Sequence, residues 1–199
     1  MSEDHYFSAR PASADERRRI SVTLAGHELS LEVAPGIFSP DHVDLGTQVL
    51  LRTVPAPVGR VLDIGCGWGP IALAAALLST DVAVTAVDVN ERALDLAKRN
   101  AVAAGVGDRV AVMTPDAVPG DAVFDTIWSN PPIRVGKAAL HELMGTWLPR
   151  LAPGGEAWLV VQRHLGADSL AAWLALQGWG EVEKMASAKG FRVLRVTAP

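Results

Sequence analysis

Apolar and polar residues alternate along two early stretches of the chain. Ile20, Val22 and Leu24 share one face of the first, and Leu29, Leu31 and Val33 share another face in the second. Ala25-Gly26-His27-Glu28 sits between them. A period of two on either side of such a segment predicts a β-hairpin, and Pro35-Gly36 closes it. Residues 1–19 show no apolar period and end in Asp15-Glu16-Arg17-Arg18-Arg19, which reads as an arm. The period lengthens over residues 44–54, where Leu45, Val49 and Leu50 face inward, and Pro55 and Pro57 break the chain.

From Arg60 onward strand and helix patterns alternate. Strands are predicted over residues 60–64, 82–88, 109–113, 123–129 and 156–162, and helices over 70–78, 91–104, 137–150 and 168–177. The helix from Glu91 is the clearest: Ala93, Leu94, Ala97, Ala101 and Ala104 fall on one face, and Glu91, Asp95, Lys98 and Arg99 elsewhere. The strands are near-continuous apolar runs, as expected of strands covered on both faces. This order predicts an α/β fold with a doubly wound, mostly parallel sheet. The tail alternates again over residues 191–196, after a Gly-Trp-Gly turn at 178–180, and reads as a closing antiparallel hairpin. Residues 1–56 are expected to form an arm, hairpin and helix packed on a catalytic domain spanning 57–199.

Composition narrows the function. With 199 residues and 49% apolar side chains, the chain supports one domain with trimmings. The formal charge of −4 excludes nucleic-acid coating by bulk charge, so any such contact must be a local patch. The single cysteine, Cys66, excludes an internal disulfide framework and a Cys-rich zinc site. The five histidines lack metal-binding spacing such as HExxH. The N-terminus is acidic and polar, and the longest apolar stretch, residues 71–78, is too short to span a bilayer. A cytoplasmic protein is expected.

Two segments carry chemistry. The first is Val61-Leu-Asp63-Ile-Gly65-Cys66-Gly67-Trp68-Gly69-Pro70. Glycines at alternate positions between strand and helix let backbone approach a ligand closely, and Pro70 suits the first helical turn. Asp88, ending the next strand, is placed to accept hydrogen bonds from ribose hydroxyls. Asp63 suits a pyrophosphate poorly, because like charges repel. It suits a cationic ligand better, such as the amino end of S-adenosylmethionine (SAM). Cys66 reads as a small packed residue.

The second segment is Asn130-Pro131-Pro132, directly after a strand. Two prolines fix φ and remove two donors. The Asn130 and Pro131 carbonyls are therefore expected to be free acceptors at the carboxyl end of the sheet, where ligands bind in open α/β folds. Methylating an exocyclic amine calls for such acceptors, because the nitrogen lone pair is delocalised into the ring. Asn130 Oδ1 and the Pro131 carbonyl would hold the two amine hydrogens, turn the lone pair toward the methyl donor and stabilise charge developing on nitrogen.

These segments together resemble the class I SAM-dependent methyltransferases, and within them the amino-methylating branch. More narrowly, the chain is similar to the 16S rRNA guanine-N2-methyltransferase (RsmC-type) family, the "methyltransferase small" domain. The resemblance runs from His5-Tyr6-Phe7-Ser8 to Arg195. It includes Gly36-Ile37-Phe38-Ser39, Asp44-Leu45-Gly46-Thr47, Asn130 through Lys137 and Gly190 through Leu194. It implies a seven-stranded sheet with its last strand pair reversed. It implies SAM contacts at Asp63, Gly65, Cys66, Gly67, Asp88, Val89, Asp116, Asn130 and Phe38, with Asp88 on the ribose and Asp116 near the adenine. It assigns catalysis to Asn130, Pro131 and Pro132, and substrate contacts to Ile133, Arg134 and Lys137. The implied substrate is guanine N2 in rRNA or the 30S subunit, with no DNA, membrane or metal partner. Two departures stand out. Ile133 occupies a position where many relatives carry a stacking Tyr, Phe or His, which makes Phe38 the stacking candidate. Longer bacterial members carry a second, N-terminal copy of the fold where this chain has an arm and hairpin.

Other features have two readings. Arg10 and Arg17-Arg18-Arg19 suit phosphates or a solvated face. Trp147, Trp158 and Trp173 read as core, Trp68 and Trp128 as core or site, and His141-Glu142 as a helix surface pair. The rival functions are transfer to a protein glutamine amide or a small molecule, a catalytically silent SAM-fold module that binds RNA or protein, and an NAD oxidoreductase. Pro70 and the Asn-Pro-Pro turn disfavour the last.

Overall fold

Residues 14–199 are described by a computed structural model. The His5–Ser8 segment and Arg10 lie outside the described residues. A two-stranded hairpin, β1 (Arg18–Leu24) and β2 (His27–Val33), precedes α1 (Leu45–Thr53). The alternating body follows: β3 (Arg60–Ile64), α2 (Pro70–Leu78), β4 (Ala83–Val87), α3 (Glu91–Ala103), β5 (Val110–Met113), β6 (Phe124–Ser129), α4 (Lys137–Trp147), β7 (Leu151–Gln162) and α5 (Ala167–Ala175). The chain closes with β8 (Glu181–Ala188) and β9 (Phe191–Thr197). The seven-stranded sheet has the order β5-β4-β3-β6-β7-β9-β8. Strands β3 to β7 pair in parallel, and β9 pairs antiparallel with both β7 and β8.

The chain leaves β3 toward β4 and β5, then returns to place β6 on the other flank of β3. The carboxyl ends of β3 and β6 therefore adjoin at the switch point, where a crevice opens in such sheets. Side chains alternate across the sheet. Val61, Trp128, Trp158 and Val160 pack with the hairpin and α1 to α3 on one face. Leu62, Ile127, Leu159 and Val161 pack with α4 and α5 on the other. Burial on both faces is what the unbroken apolar runs of the central strands predict.

The hairpin differs from its expected form in one respect. Its turn is only Ala25-Gly26, with φ of 49° and 82°. Positive φ at both central residues is the geometry of a type I′ turn, whose twist matches the flanking strands. The resulting register sets Ile20 opposite Leu31 and Val22 opposite Leu29. The two apolar sets thus form one face, and it packs on the core. Asn100 of α3 clamps this hairpin: it accepts from Glu32 N at 2.7 Å and donates to the Glu32 and Trp68 carbonyls, each at 2.9 Å.

Candidate active site

A cavity of about 410 Å³ opens at the switch point, within the range of small-molecule sites. Phe38, Gly65, Gly67, Asp88, Val89, Asn130, Pro131, Pro132, Ile133 and Arg134 all line it. The β3–α2 loop makes its floor. Gly65 and Gly67 have φ of 75° and 55°, and a Cβ added to either would meet nothing within 4 Å. Backbone thus faces open space, the cradle a closely held ligand requires. Asp88 borders it, held by two donors: Oδ2 accepts from Gly67 N and Oδ1 from Asn90 N, both at 2.9 Å. Burial pushes the Asp88 carboxyl up, against the backbone donors that lower it.

Asp63 departs from its expected role. It is fully buried and absent from the cavity wall. Its Oδ2 accepts from Ala72 N at 2.9 Å. Ala72 is in the first turn of α2, whose N-cap is Gly69 with no side-chain cap. Asp63 supplies from the strand, through Oδ2, the cap that glycine lacks, and so fixes the loop; its Oδ1 is buried with no hydrogen-bond partner among the described residues. Burial raises its pKa to about 8; the Ala72 bond lowers it and Asp88 raises it. A carboxyl held high in the folded state favours folding while it is neutral. Its contribution is complete below about pH 4 and is lost as pH rises through about 8. Between pH 6 and 9 the wild-type Tm should fall about 5–10 °C further than that of Asp63→Asn. Equal slopes in thermal melts across that range would refute the assignment.

Three other expected contacts lie off the wall. Cys66 is buried, and its backbone N–H donates to the Val87 carbonyl at 2.9 Å. Burial pushes its thiol well above the ordinary value, with Asp88 and Asp63 adding to the effect, so it packs rather than reacts. Asp116 is exposed because a short turn, Pro115–Ala117, aims Pro115 at the cavity instead. Lys137 is exposed at the first residue of α4 and does not line the wall.

The Asn-Pro-Pro turn holds a further surprise. The Pro131 carbonyl is not free: it accepts from Ile133 N at 2.8 Å. Pro132, at φ −73° and ψ 77°, forms an inverse γ-turn. That turn orients the carbonyl and leaves it one lone pair for a ligand. Asn130 Nδ2 donates to Asp44 Oδ2 at 2.8 Å and Thr47 Oγ1 at 3.1 Å. A carboxylate only accepts, so the amide's NH₂ end must face α1. Oδ1 is thereby the amide's open acceptor on the cavity wall.

Asp44 and Asn90 carry more of the site than the sequence reading assigned them. Each is also a helix N-cap, for α1 and α3 respectively. Asn90 Nδ2 donates to the Gly36 carbonyl at 2.9 Å, Arg92 to the Pro35 carbonyl at 2.6 Å and Trp68 Nε1 to the Ser39 carbonyl at 3.1 Å. These bonds pin the segment that carries Phe38 over the cavity. A cap residue two positions after Asp88 is readable from sequence; its long-range bond to Gly36 is not. Leu143, Trp147, Gln162 and Phe191 also line the cavity. Trp68 and Trp128 are buried core. His141 stacks on Trp173 at 3.7 Å instead of forming a plain surface pair.

The arginines at the start of β1 are engaged internally. Arg17 pairs with Asp15 and Asp95, Arg18 with Asp41, and Arg19 with Glu32. Charges matched by carboxylates make a poor phosphate patch.

Comparison with known proteins decides the family. Residues 28–195 match the methyltransferase small domain. The chain belongs to the methyltransferase small domain family. An uncharacterized Bacillus subtilis protein, YbxB, is 33% identical over 98% of both chains. The ribosomal RNA small subunit methyltransferase C of Shewanella amazonensis is 29% identical over 94% of this chain. The chain spans only 54% of that relative's length. The Streptomyces coelicolor ribosomal RNA large subunit methyltransferase G is 33% identical over 80% of this chain and 44% of its own. Among solved structures, the Thermus thermophilus 16S rRNA N2 G1207 methyltransferase, bound to AdoMet and guanosine, shares the fold. Its TM-score is 0.79, with 24% identity over 95% of this chain and 52% of that one.

The methyltransferase small domain seen here is of RsmC type and SAM-dependent. The glycine cradle and the anchored Asp88 fit the cofactor: Gly65 and Gly67 would lie under it, and Asp88 would take its ribose hydroxyls. The cofactor supplies the methyl group; the chain supplies alignment.

Proposed function

We propose that the chain transfers the SAM methyl group to guanine N2 in small-subunit rRNA. The observation that carries this reading is the Asn130 amide, fixed by Asp44 and Thr47 with Oδ1 left open beside the Pro131 carbonyl. Oδ1 and the remaining Pro131 lone pair would accept the two hydrogens of a planar exocyclic amine. That places its lone pair toward the methyl donor and stabilises charge gained on nitrogen. No strong base is needed to start the reaction. Alignment of this kind is worth about 7–11 kcal/mol in favourable cases. Gln162 lines the same cavity and its side-chain amide makes no hydrogen bond among the described residues. An amide offers an acceptor and a donor, which complements N1–H and O6 of guanine. Ile133 supplies an apolar wall, and Phe38 the stacking face.

An RNA substrate is supported by cations around the mouth. Arg134 lines it. Lys137, Arg163 and Lys189 are exposed and make no ion pair within 4 Å among the described residues, although Arg163 lies in the field of Asp168, which holds Lys184 and Arg192. Arg163 N donates to Gly190 O at 2.8 Å, which sets Arg163 beside the Lys189-Gly190 turn. Each phosphate contact would add salt dependence to binding. A target base must be unpaired or flipped, at a cost of a few kcal/mol.

Large-subunit rRNA is a second target, favoured by the Streptomyces relative. The deciding experiment is transfer of labelled methyl from SAM to unmodified 30S and 50S subunits, followed by nucleoside digestion. Label in N2-methylguanosine from 30S is the expected result. Label only from 50S moves the target to the large subunit. No label on either, from protein shown to bind SAM, removes rRNA and leaves protein amides and small molecules.

A further inference from the structure

We infer that Asp44 and Thr47 are positioning residues that hold the Asn130 amide in the one orientation able to present Oδ1 to the acceptor amine. The inference rests on the reading of Asn130 given above. Asn130 lies 86 residues from Asp44 and 83 from Thr47, yet its Nδ2 meets both. An asparagine amide turned by 180° swaps its acceptor for a donor. In that orientation the amine hydrogens of a substrate would meet N–H groups, and Oδ1 would face the Asp44 carboxylate. Two acceptors without a proton between them repel, so the α1 side selects one orientation and excludes the other.

The carboxylate doing this is itself immobilised. Asp44 Oδ2 also accepts from Gly46 N at 2.8 Å and Thr47 N at 3.3 Å. Three donors from two elements converge on one oxygen. Gly46 is needed for that convergence: a Cβ there would come within 2.9 Å of Asp44 Oδ2 and 2.8 Å of Phe191 Cε1. Asp44-Leu45-Gly46-Thr47 thus works as a unit: one acceptor, a spacer, a gap for the carboxylate and the Phe191 ring, and a second acceptor. The start of α1 becomes part of the active site although it contributes no atom to the chemistry.

The test is the double variant Asp44→Ser/Thr47→Val. Serine keeps an N-cap but is too short to reach Asn130, and valine keeps the shape of threonine without its hydroxyl. With unmodified 30S subunits as acceptor, kcat should fall about 10- to 100-fold, while SAM affinity and Tm stay close to wild type. Asp44→Asn, which retains an acceptor and a cap, should recover most of kcat. In an Asn130→Ala background the double variant should cost nothing further. NMR exchange of the Asn130 side-chain amide protons gives a readout that needs no acceptor: slow in wild type and in Asp44→Asn, fast in the double variant. If the double variant does not fold, Thr47→Val alone replaces it, with a smaller loss of kcat and faster exchange expected. Unchanged exchange, or wild-type kcat in a variant that folds, overturns the proposal. Should Asn130→Ala itself keep its turnover, the reading of Asn130 fails first. If Asn130→Ala is dead and the double variant is not, only the positioning role fails.

Discussion

Asn130→Ala should lower kcat by about 10²–10³-fold while leaving the SAM Kd within a few-fold of wild type. The substitution removes an acceptor whose value grows as the amine nitrogen gains positive charge. An interaction stronger in the transition state than in the ground state appears in kcat rather than in binding. The Pro131 carbonyl stays, held by the γ-turn at Pro132, so one of two acceptors survives and the loss is partial. Stability should change little. Asp44 keeps its two backbone donors, and deleting the two Asn130 bonds costs about 1–2 kcal/mol. Asn130→Asp is the sharper perturbation, because it sets a second carboxylate against Asp44. Steady-state kinetics with varied SAM and acceptor, beside thermal melts, separate these effects. Near-normal turnover of Asn130→Ala at saturating substrate would show that the amide does not align the amine.

What could be read from the sequence was local. Apolar periodicity marks each strand and helix of the α/β body, because burial on two faces or one forces it. Glycine at 65 and 67 is legible because their positive φ demands it. What could not be read depends on where side chains point. An acid before a glycine loop has two uses, to meet a ligand or to cap the following helix. Only the geometry shows Asp63 turned toward Ala72 N. Two prolines in a row announce missing donors, but not that the next residue, Ile133, would donate back to Pro131. The length of the hairpin turn was likewise not legible. Shortening the turn to Ala25-Gly26 slides the pairing by two residues, so Leu24 meets His27 and Val22 meets Leu29, and both apolar sets stay on one face. The Asp44 cap is a local signal with a non-local consequence: the helix start is readable, its grip on Asn130 is not.

Asp88→Ala should weaken SAM binding by about 10²-fold or more and abolish most of its pH dependence. Two hydrogen bonds to a charged acceptor are worth about 3–6 kcal/mol together, and the other carboxylate on the cavity wall, Asp44, is committed to Gly46, Thr47 and Asn130. Asp88→Asn should not rescue. Both oxygens of Asp88 already accept backbone N–H groups, from Gly67 and Asn90. An amide must therefore turn its NH₂ against one of those donors and disturb the glycine cradle. The pH argument follows from burial, which raises the Asp88 carboxyl above the ordinary carboxylate range. Hydroxyl donors from the ribose favour the ionised form and would pull the value back down in the complex. Affinity should then fall as acid protonates free Asp88, by up to tenfold per pH unit between the free and bound values. Calorimetry from neutral pH downward should show this slope in wild type and a flatter one in Asp88→Ala, with proton release on binding confined to the wild type. An unchanged SAM Kd in Asp88→Ala would remove the ribose from this position and, with it, the orientation of the cofactor across the glycine cradle.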